Sequence, residues 1–112
     1  MIRAVDALST PLAHQPVADG LSVTPGVTTG SAPLEGLEGV TVGVWEHSAG
    51  TSTDIEEAEV FVAISGRGRV TCEQGGVIEL SAGVVGVLDR GARTTWEVTE
   101  PLRKVWISRL SN

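Results

Sequence analysis

Cysteine and histidine are scarce in this 112-residue chain, which has one cysteine, Cys72, and two histidines, His14 and His47. A single cysteine excludes an intramolecular disulfide and a zinc site built from cysteines. Two histidines, one of them in a proline-rich leading segment, give no basis for a Ser-His-Asp hydrolase. The lone thiol fits a reducing compartment, so we expect the protein in the cytoplasm.

Long apolar runs and helical patterning are also missing. No stretch approaches 18 consecutive apolar residues, and the N-terminal segment lacks the apolar core of a signal peptide, so we expect no contact with a membrane. No glycine-rich loop leads into a helix, which excludes P-loop and dinucleotide-binding functions. The net charge of −6 repels phosphate backbones, so we expect no nucleic-acid partner.

The residues that are present divide the chain near position 38. Residues 1–38 hold four of the five prolines and show no sustained periodicity. They predict an extended N-terminal arm with turns at Pro25-Gly26 and Ala32-Pro33 and room for one short edge strand. Residues 39–112 consist of short runs rich in β-branched residues, separated by Gly, Ser and Asp. This second part predicts an all-β sandwich or barrel.

Seven strands are predicted from these runs by their length, composition and flanking turn residues. They lie near 40–47, 58–65, 68–73, 76–80, 85–89, 94–99 and 102–109. Several runs, such as "VFVAI" and "VVGVL", are apolar on both faces, which is typical of sheets that pack against each other.

The spacing of residues within this part resembles a known family. Six residues separate Glu59 from Gly66 in "EVFVAISG". In "GVVGVLDRGART", the residues Gly83, Asp89, Gly91 and Thr94 follow one another at intervals of six, two and three, as in a second glycine-containing signature. With the flanking segments "VGVWEHSAGT" and "TTWEVTEPLRKVWI", the pattern over residues 39–108 resembles the EutQ-like branch of the cupins. This branch is grouped with ethanolamine-utilisation and ureidoglycine aminohydrolase cupins. The resemblance implies a double-stranded β-helix, the jelly-roll cupin barrel, over residues 39–112, with a site in its mouth.

The resemblance also implies a metal site, from which this chain departs. Metal-binding cupins carry two histidines before the signature Glu, where this chain has "STDI", and Thr94 replaces the histidine of the second signature. Because transition metals need three or four converging N, O or S ligands, we expect no firmly held metal. A weaker alternative is a divalent Mn, Fe, Ni or Zn ion on Glu59 and His47, with Glu46 and Asp54 as further donors. His47 lies next to a predicted loop, where we expect an exposed or capping residue.

Glu59 is the candidate catalytic residue. Facing the interior, it would act as an acid or base, or anchor a ligand amine or ureido group. Strand alternation puts Lys104, the only lysine, on one face with Leu102 and Trp106, so a shared interior face would make Glu59 and Lys104 a buried pair. The alternative is a lysine at the barrel rim with no chemical role. The predicted ligand-binding residues are Trp45, Glu46, Glu59, Trp96 and Lys104, with core or interface packing as the alternative for each tryptophan.

Three functions fit these residues. The leading hypothesis is a cupin-domain protein that binds a small polar metabolite in the barrel. The alternatives are a small-molecule enzyme of nitrogen metabolism resembling ureidoglycine aminohydrolase, and a non-catalytic structural accessory subunit whose barrel is filled by Phe61 and Trp106. We expect a homodimer, with the N-terminal arm or an edge strand pairing with the partner.

Overall fold

Antiparallel β-strands form the whole framework of the protein in a computed structural model that describes residues 1–34 and 36–109. The end of the predicted barrel, residues 110–112, lies outside the described residues. No helix in the described part of the chain is long and apolar enough to cross a membrane. The eight strands are β1 (His14–Pro16), β2 (Thr28–Leu34), β3 (Val40–His47), β4 (Gly50–Ile55), β5 (Glu59–Cys72), β6 (Val77–Leu80), β7 (Val85–Leu88) and β8 (Arg93–Arg109).

Two long strands, β5 and β8, run through the molecule and contribute to both halves of the fold. The first half of β5 pairs with the second half of β8 and with β7, and β8 continues through β3 and β2 to β1. We call this half the large sheet. The other halves of β5 and β8 pair with each other and with β6 and β4, forming the small sheet. Register shifts between Ala63 and Gly68 mark the passage of β5 from one sheet to the other.

The apolar core lies between the inner faces of the two sheets. The rings of Phe61 on the large sheet and Trp96 on the small sheet have centroids 5.9 Å apart. Full burial of side chains of this size contributes about 2 kcal/mol each, so this contact is a main source of stability. The buried cluster comprises Phe61, Ala63, Val70, Leu80, Leu88, Trp96, Val98 and Leu102.

Two glycines let aromatic rings lie directly on the backbone of neighbouring strands. A Cβ atom at Gly43 would lie 2.3 Å from Cζ2 of Trp106, and one at Gly86 would lie 2.3 Å from Cζ of Phe61. Real Cβ atoms do not approach other atoms this closely. On the inner face of the large sheet, the ring of Trp106 therefore packs against the backbone of β3, and the ring of Phe61 packs against the backbone of β7.

The all-β prediction is confirmed, and most predicted strands are present with different ends. Strand 40–47 has the predicted bounds. The predicted strands 58–65 and 68–73 form one strand, as do 94–99 and 102–109, because each carries partners along both halves. The six-residue strand β4 was not predicted, since "GTSTDI" has no apolar alternation.

The leading segment contains more strand than predicted. The turn at Pro25-Gly26 is present. The turn predicted at Ala32-Pro33 is wrong, because both residues lie in β2 and pair with Val44 and Gly43 of β3. Proline is accommodated there because β1 pairs only with Thr28, Thr29 and Gly30, which leaves the other side of β2 without a strand partner at Pro33.

We expect Gly43→Ala to lower the free energy of unfolding by about 2 kcal/mol, because the new methyl group collides with the indole of Trp106. Urea denaturation measures the loss. Ser31→Ala, at an exposed position on neighbouring β2, is the control and should change stability by less than about 0.5 kcal/mol. Equal stability of the two variants would contradict this account of Gly43.

Candidate functional site

Lys104 lies on the inner face of the large sheet with only 4 % of its side chain exposed. The register places it between Trp45 of β3 and Ala63 of β5. Its Nζ atom lies 2.9 Å from Oε2 of Glu59, whose side chain is 16 % exposed. Of the two alternatives left open by the sequence, an interior lysine paired with Glu59 and a lysine at the rim, the structure has the first: the two residues form a buried ion pair.

Three aromatic rings surround the same ammonium group. The Nζ atom of Lys104 lies 4.5 Å from the ring centroid of Trp45, 4.7 Å from that of Trp96 and 4.9 Å from that of Phe61. Each contact of this kind is worth about 0.5 to 2 kcal/mol, with the larger values where water is excluded. We call Trp45, Glu59, Phe61 and Trp96 the ammonium cage. The cage offsets much of the cost of removing the lysine charge from water.

Glu56 is a second buried acid beside the cage. The residue is 7 % exposed, and its Oε2 atom accepts hydrogen bonds from Oγ1 of Thr94 at 2.7 Å and from Nε1 of Trp96 at 3.1 Å. Burial raises the pKa of Glu56, and the Asp54 charge adds to that rise. The hydrogen bonds from Thr94 and Trp96 and the charge of Lys104 oppose it only in part. Glu56 therefore keeps its proton to a higher pH than an exposed glutamate does.

Sequence reasoning missed Glu56 because it lies in the acidic run "DIEEAE", which is typical of an exposed loop. The backbone turns it inward: its N–H bonds to the carbonyl of Ala92, and its own carbonyl accepts from Gly91. One signal was available in the sequence. A threonine at the position of a signature histidine needs an acceptor once it is buried, and Glu56 supplies it.

A cavity of about 190 Å³ opens beside Thr94, between the small sheet and β7. Thr94 is 2 % exposed and forms its inner end, whereas Asp89 is exposed and lies at the mouth. The walls are mostly apolar, with Val70, Ile78, Leu88 and Ala92 among them. The polar side-chain groups in this mostly apolar lining are the Thr94 hydroxyl, the Cys72 thiol and the Asp89 carboxylate.

Glu46, one of the predicted ligand residues, lies on the outer face of β3, so the structure does not bring it to the cage. Its carboxylate accepts a hydrogen bond from Nε of Arg103 at 2.9 Å and lies 2.8 Å from Nε2 of His14. Burial alone would raise the pKa of Glu46, but the hydrogen bonds and charges of Arg103 and His14 lower it below its usual value. Glu46 thus belongs to an ionic cluster that fastens the leading segment to the sheet.

The expectation of an exposed or capping His47 is wrong, because its side chain is fully buried. One ring nitrogen bonds to the carbonyl of Ser48, and the other lies 2.8 Å from Oγ of Ser52 in β4. Burial lowers the pKa of His47, and the charge of His14 lowers it further. The bond to Ser48 opposes the shift only in part. The unpredicted strand β4 supplies Ser52 to this ring, and the ring of Trp45 lies 5.5 Å from it between centroids.

The residues that the resemblance assigns to a metal do not fit one. Glu59 binds the ammonium of Lys104, and a positive charge 2.9 Å from its carboxylate repels a cation. The hydroxyl of Thr94 is donated to Glu56, and both ring nitrogens of His47 are engaged. Within residues 1–34 and 36–109, no three His, Cys, Asp or Glu side chains are grouped to hold a metal ion.

We expect Lys104→Met to lower the free energy of unfolding by about 3 kcal/mol, because Glu59 would keep a largely buried carboxylate without its cation. The double variant Lys104→Met with Glu59→Leu should regain part of the loss, since no unpaired charge remains. Arg69→Met is the control: its pair with Glu79 is exposed and is worth less than about 1 kcal/mol. If urea denaturation showed that Lys104→Met and Arg69→Met lower the free energy of unfolding equally, the stabilising role of the ammonium cage would be contradicted.

Glu56→Gln should change the pH dependence of stability. Because the folded-state pKa of Glu56 is raised, its stabilising contribution is complete below about pH 4.5 and is lost as the pH rises through the folded pKa. The wild type should therefore lose stability relative to Glu56→Gln over that window, by on the order of 1 kcal/mol. Urea unfolding at a series of pH values tests this, with the exposed neighbour Glu57→Gln as control. A difference that does not vary with pH would contradict the prediction.

Comparisons with known proteins identify the fold. Among solved structures, the chain is similar to a EutQ protein of Clostridium difficile, with TM-score 0.65, 17% identity and coverage of 80% of this chain and 67% of that one. A protein of unknown function from Pseudomonas syringae gives TM-score 0.73 and 21% identity over 92% of this chain and 46% of that one. An ectoine synthase from P. lautus gives TM-score 0.64 and 21% identity over 72% of this chain and 63% of that one.

These identities show the fold alone, the jelly-roll barrel of the cupins. No curated protein gave a significant match. The family model of the EutQ-like cupin domain matches residues 34–106. Because that match covers most of the chain, the protein belongs to the EutQ-like cupin family.

Proposed function

We propose that this cupin binds a small metabolite with an amine at one end of a short apolar chain, without a firmly held metal. The observation that carries the proposal is the 190 Å³ cavity that ends at Thr94, whose hydroxyl is bonded to the buried Glu56. This volume lies below the range of about 300 to 1,000 Å³ typical of drug-sized ligands, so the cavity suits a small metabolite.

The charges around the cavity favour an amine over a carboxylate. Asp89 lies at the mouth, Glu56 lies behind Thr94, and none of the lining residues is basic. The chain as a whole carries a net charge of −6, which adds to the attraction for a cation. The apolar walls suit a short alkyl segment between the two ends.

Thr94 would connect the ligand to Glu56. Its Oγ1 atom donates its proton to Glu56 and accepts a hydrogen bond from Nε1 of Trp96 at 3.1 Å, which leaves one lone pair to accept a hydrogen bond from a ligand ammonium group. A bound positive charge favours the ionised form of Glu56, whose pKa burial has raised. Binding therefore releases a proton and strengthens as the pH rises through the pKa of Glu56.

The ammonium cage supports this site from behind. Trp96 belongs to the cage and also donates its indole N–H to Glu56, which fixes the orientation of the acid. Lys104 provides the positive charge opposite Glu59 that a metal ion provides in metal-binding cupins. We therefore assign Trp45, Glu59, Trp96 and Lys104 a supporting role in ligand binding.

The other hypotheses remain predictions. Phe61 and Trp106 fill the inner face of the large sheet, which is the feature expected of a structural accessory subunit. The cavity beside the small sheet is the feature that favours ligand binding over that alternative. The related ectoine synthase is named for small-molecule chemistry, in keeping with an enzyme on this scaffold. The cytoplasmic location and the homodimer also remain predictions.

Butylamine, butyrate and butanol are matched probes for calorimetric titration of untagged protein. We expect butylamine to bind, butyrate not to bind and butanol to bind more weakly than the amine. Thr94→Val should weaken butylamine binding about tenfold or more, because one charge-assisted hydrogen bond is lost. Thr99→Val, an exposed position on the same strand, is the control.

Metal independence is tested on the same samples. Elemental analysis should find no stoichiometric Mn, Fe, Ni or Zn, and treatment with EDTA should leave butylamine binding unchanged. Stoichiometric metal, or binding lost on chelation, would contradict the metal-free proposal. If butyrate bound as tightly as butylamine, the proposed preference for an amine would be contradicted. If none of the three probes bound, the alternative of a structural accessory subunit would be favoured.

A further inference from the structure

One acidic side chain, Asp89, lies in the lining of the 190 Å³ cavity. Within residues 1–34 and 36–109, this side chain forms neither a hydrogen bond nor an ion pair. The backbone carbonyl of Asp89 accepts the N–H of Ala92, which closes the turn between β7 and β8. The turn thus fixes the backbone at Asp89 and leaves its exposed carboxylate available to a ligand.

In the described part of the chain, neither arginine near this turn pairs with Asp89. Arg90 lies toward Glu57, with its Nε atom 3.9 Å from Oε2 of that residue. Arg93 begins β8, and its backbone N–H donates to the side-chain oxygen of Gln74 at 3.0 Å. Neither arginine belongs to the cavity lining. The negative charge of Asp89 is therefore open to a cation brought by a ligand.

The thiol of Cys72, the third polar side chain of the lining, is already engaged. It donates to Oε1 of Gln74 at 3.2 Å, and Nε2 of Gln74 donates to the carbonyl of Gly91 at 3.2 Å. This contact ties the hairpin between β5 and β6 to the turn that holds Asp89. The hydroxyl of Thr94 and the carboxylate of Asp89 are thus the side-chain oxygens of the lining that a ligand can use.

Both of these oxygens call for a hydrogen-bond donor. The proton of the Thr94 hydroxyl is donated to Glu56, so Thr94 offers a ligand only a lone pair. An ionised carboxylate such as that of Asp89 also only accepts. Thr94 is 2 % exposed, whereas Asp89 is exposed, so one ligand would meet the two acceptors at different depths of the cavity.

The volume of the cavity limits the length of such a ligand. A water-sized group takes about 30 Å³ in the liquid, so 190 Å³ has room for about six non-hydrogen atoms. A four-carbon chain with an amine at each end fills that space. Its methylene groups suit the apolar walls formed by Val70, Ile78 and Leu88.

We propose that the ligand is a short α,ω-diamine of about the size of butane-1,4-diamine, with one ammonium group on Thr94 and the other on Asp89. This inference rests on the proposed binding of an amine at Thr94 and adds a second recognition group. The net charge of −6 attracts a dication more strongly than a monocation. Asp89 repels a carboxylate at the outer end of a ligand, and a charged donor there binds it more strongly than a hydroxyl does.

Calorimetric titration of the untagged full chain tests the second ammonium group with four matched probes. These are butane-1,4-diamine, 4-aminobutan-1-ol, pentylamine and 4-aminobutyrate, which share one amine and differ at the other end. We expect the diamine to bind about fivefold more tightly than pentylamine, the upper range for a pair at an exposed carboxylate. The amino alcohol should bind less tightly than the diamine, and 4-aminobutyrate should bind less tightly than pentylamine.

Asp89→Asn should bring the dissociation constants of the diamine and pentylamine to within about twofold of each other, because the carboxylate that distinguishes them is gone. Asparagine suits the same turn, and the position is exposed, so the variant should fold. Glu97→Gln is the control: it removes the same charge from an exposed position of β8 outside the cavity lining. This control should keep the preference for the diamine.

The outcomes separate this inference from the proposed function. A preference for the diamine that Asp89→Asn removes and Glu97→Gln keeps would support the second ammonium site. Equal binding of the diamine and pentylamine would overturn it, while binding that weakens in Thr94→Val would still support the amine site. A preference that persists in Asp89→Asn would also overturn the assignment to Asp89. If none of the amines bound, both the proposed function and this inference would be wrong.

Discussion

The structure depends on the enclosure of one positive charge, the ammonium of Lys104. Removing such a group from water costs several kcal/mol, and the cost is offset only when an opposite charge and suitable ring faces are held close to it. Here β5 supplies Glu59 and Phe61, β3 supplies Trp45, and β8 itself supplies Trp96. Three strands of the barrel are therefore tied together by a single group, and their register has little freedom.

The two faces of β3 and β8 show how strict that register is. Trp45 faces Lys104 on the inside, and the next pair along, Glu46 and Arg103, lies on the outside. A slip of β8 by one residue would bring Arg103 inward and turn Lys104 outward, while Glu46 and Glu59 stayed in place on their own strands. Both ion pairs would then lose their partners. The outer pair has a second role, because Arg103 also binds the carbonyls of the leading segment. The same register that encloses the lysine thus holds the N-terminal arm against the sheet.

Local patterning was enough to predict the parts of the fold in which alternation and burial agree. Period-two alternation puts Lys104 on one face of its strand with Leu102 and Trp106, but it does not show which face is buried. The bounds of β3 follow from alternation alone. The buried positions of His47 and Glu56 do not, because each depends on a contact made by another part of the chain. His47 is hydrogen-bonded to Ser52 of the polar strand β4, and Glu56 is turned inward by backbone bonds to Gly91 and Ala92. Local sequence contains little information on such contacts, so the candidate site was harder to predict than the barrel.

The charged groups inside the barrel explain why a chain without the signature histidines suits the proposed ligand. Lys104 and Glu59 neutralise each other, whereas Glu56 accepts its hydrogen bonds from the neutral donors Thr94 and Trp96. Burial raises the pKa of Glu56 although the charge of Lys104 opposes the rise, so a further cation nearby would lower the cost of burying its ionised form. A transition metal would need several donors, and those near it are already engaged. An amine needs only an acceptor such as Thr94 and an apolar wall for its chain, and the cavity provides both. The features that disfavour a metal therefore favour an organic cation.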